Sequence, residues 1–331
     1  MRVGFLRTLI ADAAVLFAVQ STAPAFAHHS QASFDRNSVL TLRGNISRYE
    51  WQNPHVYIYL NVGTDEPVEW QLEGDPTPVM TRSGWRPDTL APGDAVIVRA
   101  HPDMNRGRNH GLLMSLTTPG GVVLTPRATG KASSASATDI SGVWDGLRGF
   151  ATRRFVVPGL TAKAAAAQAA YDESKNPVKD CRAYPTPSLV TLPFLNQIEI
   201  RGDRILMRSE FFKVERTIYM DGRGHPANGE RTNQGHSIGH WSGDVLVVDT
   251  TLFTDSPVGT RPGIASGAGK HVVERFALSK DRTQLLIDFT VEDPEYLAAP
   301  MTGSVAWDFA PDGELLSFDC NPENARVYAL D

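Results

Sequence analysis

Nine histidines among 331 residues carry most of this chain's capacity for chemistry, and they fall in two sets. His28, His29, His55, His101 and His110 lie in the first third, and His225, His236, His240 and His271 lie toward the C-terminus. No nucleophile elbow, phosphate loop, dinucleotide fingerprint or zinc-protease motif accompanies either set. In the later set, residues 235–241 read as a strand. The two-residue side-chain period then puts His236 and His240 on one face, about 7 Å apart along the strand. The strands that follow each carry ionisable groups among apolar neighbours: Asp249 within 245–250, and His271, Glu274 and Arg275 within 271–278. A carboxylate beside valines and Phe276 is either paired or shifted in pKa. If these side chains share a barrel interior, they make a polar pocket in an apolar wall. His236 and His240 then transfer protons, Asp249 or Glu274 orients a histidine, and Arg216, His225, His271 and Arg275 hold the ligand. The competing expectation sets Asp249 and Glu274 at strand ends, in surface ion pairs with Arg216, Arg231 or Arg275.

The earlier set takes its meaning from the start of the chain. Arg2 and Arg7, an apolar run over 9–19 interrupted by Asp12, and Ala25-Phe26-Ala27 read as an export signal cleaved after residue 27. The run is far short of the about 20 residues a spanning helix needs. Cleavage exposes His28-His29-Ser30 as the mature N-terminus of a periplasmic or secreted protein. A free N-terminal histidine offers its α-amine and a ring nitrogen to one metal ion, and imidazole ligands favour copper(II) among the divalent ions. A third nitrogen from His55, His101 or His110 would complete a T-shaped copper site with His28. The alternative is a frayed, solvated start, as chain termini commonly are. No organic cofactor is evident in the sequence.

Composition narrows the partners. Arg2, Arg7 and Asp12 leave with the signal, so the formal net charge moves from −5 to −6, and no Lys/Arg run remains. That argues against nucleic acid and against an anionic membrane surface, and leaves small molecules, ions or proteins. Two cysteines, Cys181 and Cys320, in an oxidising compartment point to a disulfide. Closing so long a loop is worth about 4 to 5 kcal/mol by chain entropy.

The elements that must position these groups come in two textures. Residues 28–127 read as five short strands, over 40–51, 55–62, 68–73, 95–100 and 110–117, with one or two helical turns over 76–83. That pattern suits a small oligonucleotide/oligosaccharide-binding-type barrel. Residues 128–138 have the small, polar composition of a linker. From 139 to 331, a helix over 161–171 precedes nine candidate strands: 198–200, 205–208, 215–220, 235–241, 245–250, 271–278, 284–291, 304–309 and 315–318. Turns at Asp221-Gly222, Ser242-Gly243-Asp244 and Asp312-Gly313 predict successive hairpins, hence a mainly β, antiparallel barrel or sandwich, lipocalin-like in outline.

Several of these pieces resemble a family of secreted bacterial two-domain β proteins with no established activity. They are His28-His29-Ser30, Trp51-Gln52-Asn53-Pro54-His55, Gly84-Trp85, Asp221-Gly222-Arg223-Gly224-His225-Pro226, Gly235-His236-Ser237-Ile238-Gly239-His240-Trp241 and Glu292-Asp293-Pro294-Glu295-Tyr296. The resemblance spans most of the mature chain and implies architecture and export, not mechanism. The leading expectation is a small-molecule ligand in the C-terminal β domain, with cofactor-free acid/base chemistry of a lyase, isomerase or hydrolase. Copper binding through His28 is the second, and a non-catalytic interaction module the third.

Overall fold

The computed structural model describes residues 33–127, 133–261 and 264–326. The first barrel comprises β1 (Leu40–Glu50), β2 (Tyr57–Val62), β3 (Val68–Glu73), α1 (Thr77–Arg82), β4 (Ala95–Pro102), β5 (His110–Thr117) and the two-residue β6 (Val123–Leu124). Five strands close a ring in the order β3-β2-β1-β4-β5, sealed by a parallel β3–β5 pairing, with β6 added outside β5. This is the expected five-stranded barrel, with its helix between the third and fourth strands. Alternation explains it. Ile58 and Leu60, Leu72, Val96 and Val98, and Leu113 and Leu116 point inward and pack with Met80 of α1 and Trp85 into one apolar core. The helix stops where Gly84 takes φ +89°, a left-handed conformation that favours glycine.

The second barrel is larger. Its elements are β7 (Gly142–Asp145), α2 (Leu147–Thr152), β8 (Arg154–Val156), α3 (Ala162–Ala169), β9 (Leu195–Arg201), β10 (Arg204–Ser209), β11 (Glu215–Tyr219), β12 (His236–Ser242), β13 (Val245–Thr251), β14 (Ser256–Arg261), β15 (Ile264–Ser266), β16 (His271–Leu278), β17 (Gln284–Glu292), β18 (Met301–Phe309) and α4 (Pro322–Arg326). Nine strands close the ring in the order β17-β16-β13-β12-β11-β10-β9-β7-β18. β8 also pairs with β18, and β14–β15 form a separate hairpin. The helix expected over 161–171 is α3, started by Thr161, whose side chain accepts from the Ala164 amide.

Three local expectations are corrected. Asp221-Gly222 does not turn a hairpin: β11 and β12 run parallel, because the chain crosses back through the loop over 220–235 before re-entering the sheet. Residues 315–318 form no strand, since the Leu316 amide is taken by the Glu210 carboxylate (2.8 Å) instead of a ladder. Conversely, β6, β7, β8 and β15 went unread, at two to four residues too short for alternation to show, as did the six-residue β14, whose Pro257 and Gly259 interrupt any apolar pattern. Of the segment expected to be a linker, residues 128–132 lie outside the described ones. Ala137 packs in the core of the second barrel, and Arg282 Nε donates to its carbonyl.

Cys181 and Cys320 form the expected disulfide, with Cα atoms 5.8 Å apart. It ties the C-terminal segment beside a third apolar cluster that joins the barrels: Val79 of α1 against Phe194, Phe211 and Phe318. Arg82 of α1 makes a bidentate pair with the buried Glu210 carboxylate (2.8 Å each), and the Asn321 amide donates to the Asn53 carbonyl (3.0 Å).

Candidate functional site

Alternation along β11, β12, β13 and β16 divides the predicted site residues between the two faces of one sheet. Inward, Arg216, Ser237, Thr250 and Glu274 are buried. Arg216 Nε donates to Ser237 Oγ (2.9 Å), and its Nη2 donates to Thr250 Oγ1 (2.7 Å) and Glu274 Oε2 (2.5 Å). A cavity of about 10 Å³ lined by Arg216 and Trp307 is too small for an organic molecule.

Outward, β12 pairs Ile238 with Asp249, β13 pairs Asp249 with Val273, and β16 pairs His271 with Glu292. One outer wall therefore carries His236, Asp249, His271 and Glu292. The crossing loop adds His225. The result is a continuous hydrogen-bonded run. His236 Nδ1 meets His225 Nδ1 (2.8 Å), and His225 Nε2 meets Asp249 Oδ1 (2.9 Å). Asp249 Oδ2 meets His271 Nε2 (2.9 Å), and His271 Nδ1 meets Glu292 Oε2 (3.3 Å). Burial alone would raise the Asp249 carboxyl, but bonds from His271 and His225 hold it below its ordinary range. Burial likewise opposes charge on His271, and its two carboxylate partners outweigh it and raise that imidazole. His236 goes down, through burial and then the neighbouring His225 and Arg223 charges. Its ring stacks on Tyr219 at 5.2 Å. His240 and Arg275 share this outer face but stay exposed and outside the run.

The large cavity lies elsewhere. A cleft of about 820 Å³ opens between the barrels. Phe150, Tyr184, Phe194 and Phe211 from the second domain give it an apolar wall, and Phe34 faces them from the first. Phe34 is held by a bridge to Asp103, with the Asp35 amide donating to the Pro102 carbonyl (2.8 Å). Four arginines, Arg36, Arg106, Arg127 and Arg153, line the cleft against two aspartates, Asp35 and Asp75, which leaves an excess of positive charge. Arg106 pairs with Asp35 (2.6 Å) and Arg127 Nε with Asp75 (3.0 Å). The Phe150 ring has the Arg153 guanidinium 3.7 Å and the Arg127 guanidinium 4.8 Å from its centroid.

Residues 16–114 match a family of unknown function, DUF6152. The match takes in β1 to β4 and most of β5, with His55 and Asp75 of the cleft, and does not extend to the second barrel. No curated protein matches the chain.

The three described histidines offered as copper ligands each have a local partner. His55 Nδ1 lies 3.1 Å from the Gly74 carbonyl, His101 Nδ1 lies 2.8 Å from the Ser38 carbonyl, and His110 lies beside Asp103. His28 is outside the described residues. Among the described residues, no group of three His, Cys, Asp or Glu side chains is placed to hold a metal. Sequence reasoning missed Arg127, Phe150 and Arg153, which sit ahead of the second barrel, within the six-residue α2 and just after it, and acquire a role only when two domains meet. It also missed Glu73. The run Glu73-Gly74-Asp75-Pro76 was the available signal, because it sets two acids where β3 ends and α1 is about to begin.

Proposed function

We propose that this is an exported protein that binds a small amphipathic organic molecule in the cleft between its barrels. The observation that carries the reading is the cleft itself. A domain-interface cavity of about 820 Å³, with aromatic walls and a few convergent charged groups, has the build of a small-molecule site. The nine-stranded barrel, in this reading, is a scaffold and not a lipocalin-like container, since its interior is taken by apolar side chains and the Arg216–Glu274 pair. The disulfide and the cleavable signal both suit a periplasmic or extracellular location. No helix among the described residues is long and apolar enough to cross a membrane.

The test uses anilinonaphthalene sulfonate, a flat apolar body with one fixed negative charge. It is expected to bind saturably at one site per folded chain. Phe150→Ala and Arg153→Gln are each expected to weaken it about tenfold, or about 1.4 kcal/mol, with the unfolding midpoint held. Absence of saturable binding, or affinity indifferent to both substitutions, sinks the reading. Acid/base chemistry on the outer wall is a second reading, favoured by the unbroken run from His236 to Glu292, which supplies the oriented histidine that proton transfer requires. An activity lost in His225→Ala and kept in Phe150→Ala would assign turnover to the wall.

A further inference from the structure

The cleft holds a feature that simple binding does not need. His55 stands on its wall, and directly behind it lies Glu73, which is only 2% exposed. Neither carboxylate oxygen of Glu73 has a hydrogen-bond partner, although both are buried. A carboxylate buried without donors is costly unless it holds a proton or sits beside a cation. The basic side chain beside it is His55, whose Nδ1 lies 3.4 Å from Glu73 Oε1. The same nitrogen is 3.1 Å from the Gly74 carbonyl, which can only accept, so Nδ1 carries the proton and the Nε2 lone pair is left for the cleft.

The position of His55 is fixed from several sides. Asn53 Oδ1 accepts from the Thr77 amide (2.9 Å) and hydroxyl (3.1 Å), and the Asn53 carbonyl accepts from the Asn321 amide, which clamps the turn to α1 and to the C-terminal segment. Gly74 packs closely: a Cβ there would lie 2.9 Å from Met80 Sδ and 3.2 Å from the Val56 carbonyl oxygen, so any larger residue requires both to shift. The charged groups around His55 are Glu73 on β3, Asp75 with Arg127, Asp35 with Arg106, and Arg36 and Arg153 across the cleft. Tyr57 is the cross-strand neighbour of Glu73.

We infer that the cleft's ligand is an organic anion taken up together with a proton, which His55 receives at Nε2 and Glu73 stabilises from behind. The inference rests on the cleft being the binding site. The step balances simply. Glu73 is a carboxylate before and after binding: solvent supplies H⁺, the Nε2 lone pair forms the N–H bond, and the imidazolium then donates through Nε2 to the anion and supplies through Nδ1 the cation that Glu73 lacks in the free protein. A ligand arriving as a neutral carboxylic acid reaches the same state by passing its own O–H proton to Nε2. Glu73 is a positioning residue, since it acts on the ligand only through His55.

Isothermal titration of the processed, oxidised protein with anilinonaphthalene sulfonate at pH 8, in two buffers of different ionisation enthalpy, tests this. The wild type is expected to take up close to one proton per bound probe. His55→Gln should bind about tenfold more weakly with no uptake. Glu73→Gln, which keeps the shape and loses the charge, should show reduced uptake at pH 8 and recover binding as the pH falls. Probe binding without buffer dependence, or uptake that survives in His55→Gln, overturns the inference while the cleft reading stands. If the wild type binds no probe, the cleft reading falls. Nitrogen-15 shifts of His55 then decide the remainder: Nδ1–H is expected, and an Nε2–H imidazole overturns the arrangement itself.

Discussion

The inner and outer faces of one wall of the second barrel are built from alternate residues of the same strands, yet they handle charge in opposite ways. Inside, Arg216 and Glu274 are wholly desolvated, and one carboxylate oxygen of Glu274 has no hydrogen-bond partner. Outside, Asp249 is shared between two histidines within reach of water. Inner ionic groups are governed by the cost of leaving water, outer ones by the hydrogen bonds they collect. Lys270 and His271 put this contrast into neighbouring residues. Burial pushes the Lys270 ammonium down to about 7, against the pull of Asp293 and Glu274, while the two carboxylates beside His271 raise its imidazole.

Breaking the inner pair is the largest expected effect. Glu274→Ala leaves the Arg216 charge buried without its carboxylate and is expected to cost about 3–5 kcal/mol in urea unfolding. Replacing both partners, Arg216→Met with Glu274→Leu, is expected to restore stability to near the wild-type value or above. A double variant as weak as the single one would mean that the pair itself, and not the orphaned charge, matters.

Lys270 sharpens the contrast through pH. Its folded pKa is about 7 against an ordinary 10.5, so across that window the unfolded chain binds a proton that the native protein has released. Stability therefore rises with pH from about 7 to about 10.5, and Lys270→Met should flatten the rise by removing its source. Urea midpoints of both proteins at several alkaline pH values check it, and parallel curves would refute it.

His271 should give a smaller effect of opposite slope. Its folded pKa is raised, so its contribution is complete below the ordinary imidazole value and disappears as pH rises through the folded one. The wild type's advantage over His271→Gln is expected to be greatest near pH 5 and to shrink toward pH 8.5. An advantage that grows with pH would reverse the assignment.

How much of this was legible in the sequence follows from the range of the interactions. Period-2 alternation is local, so the strands of both domains and the shared face of His236 and His240 could be read directly, the first domain as a small barrel and the second as a barrel or sandwich. Which face turned inward could not. Asp249 and Glu274 looked alike, each an acid among valines, and only ring closure places one outside and the other within. The link between His225 and His236 depends on the parallel β11–β12 crossing, which an apparent hairpin turn at Asp221-Gly222 concealed. The cleft was invisible for a further reason. Its walls come from two domains, from connecting segments and from the six-residue α2, too short for a helical period to mark Phe150.

Glu210 carries a consequence for how the molecule comes together as it is made. Its carboxylate is completed by Arg82 from the first barrel, the Leu195 amide from the second, and the Leu316 amide from the segment just before Cys320. A chain emerging from its N-terminus can close the five-stranded ring long before Glu210 is synthesised, and Arg82 must meanwhile stay solvated. Even a complete second ring, finished with β18, leaves this carboxylate one donor short. The seam beside Glu210 therefore cannot be complete until the segment before Cys320 has been made and has docked.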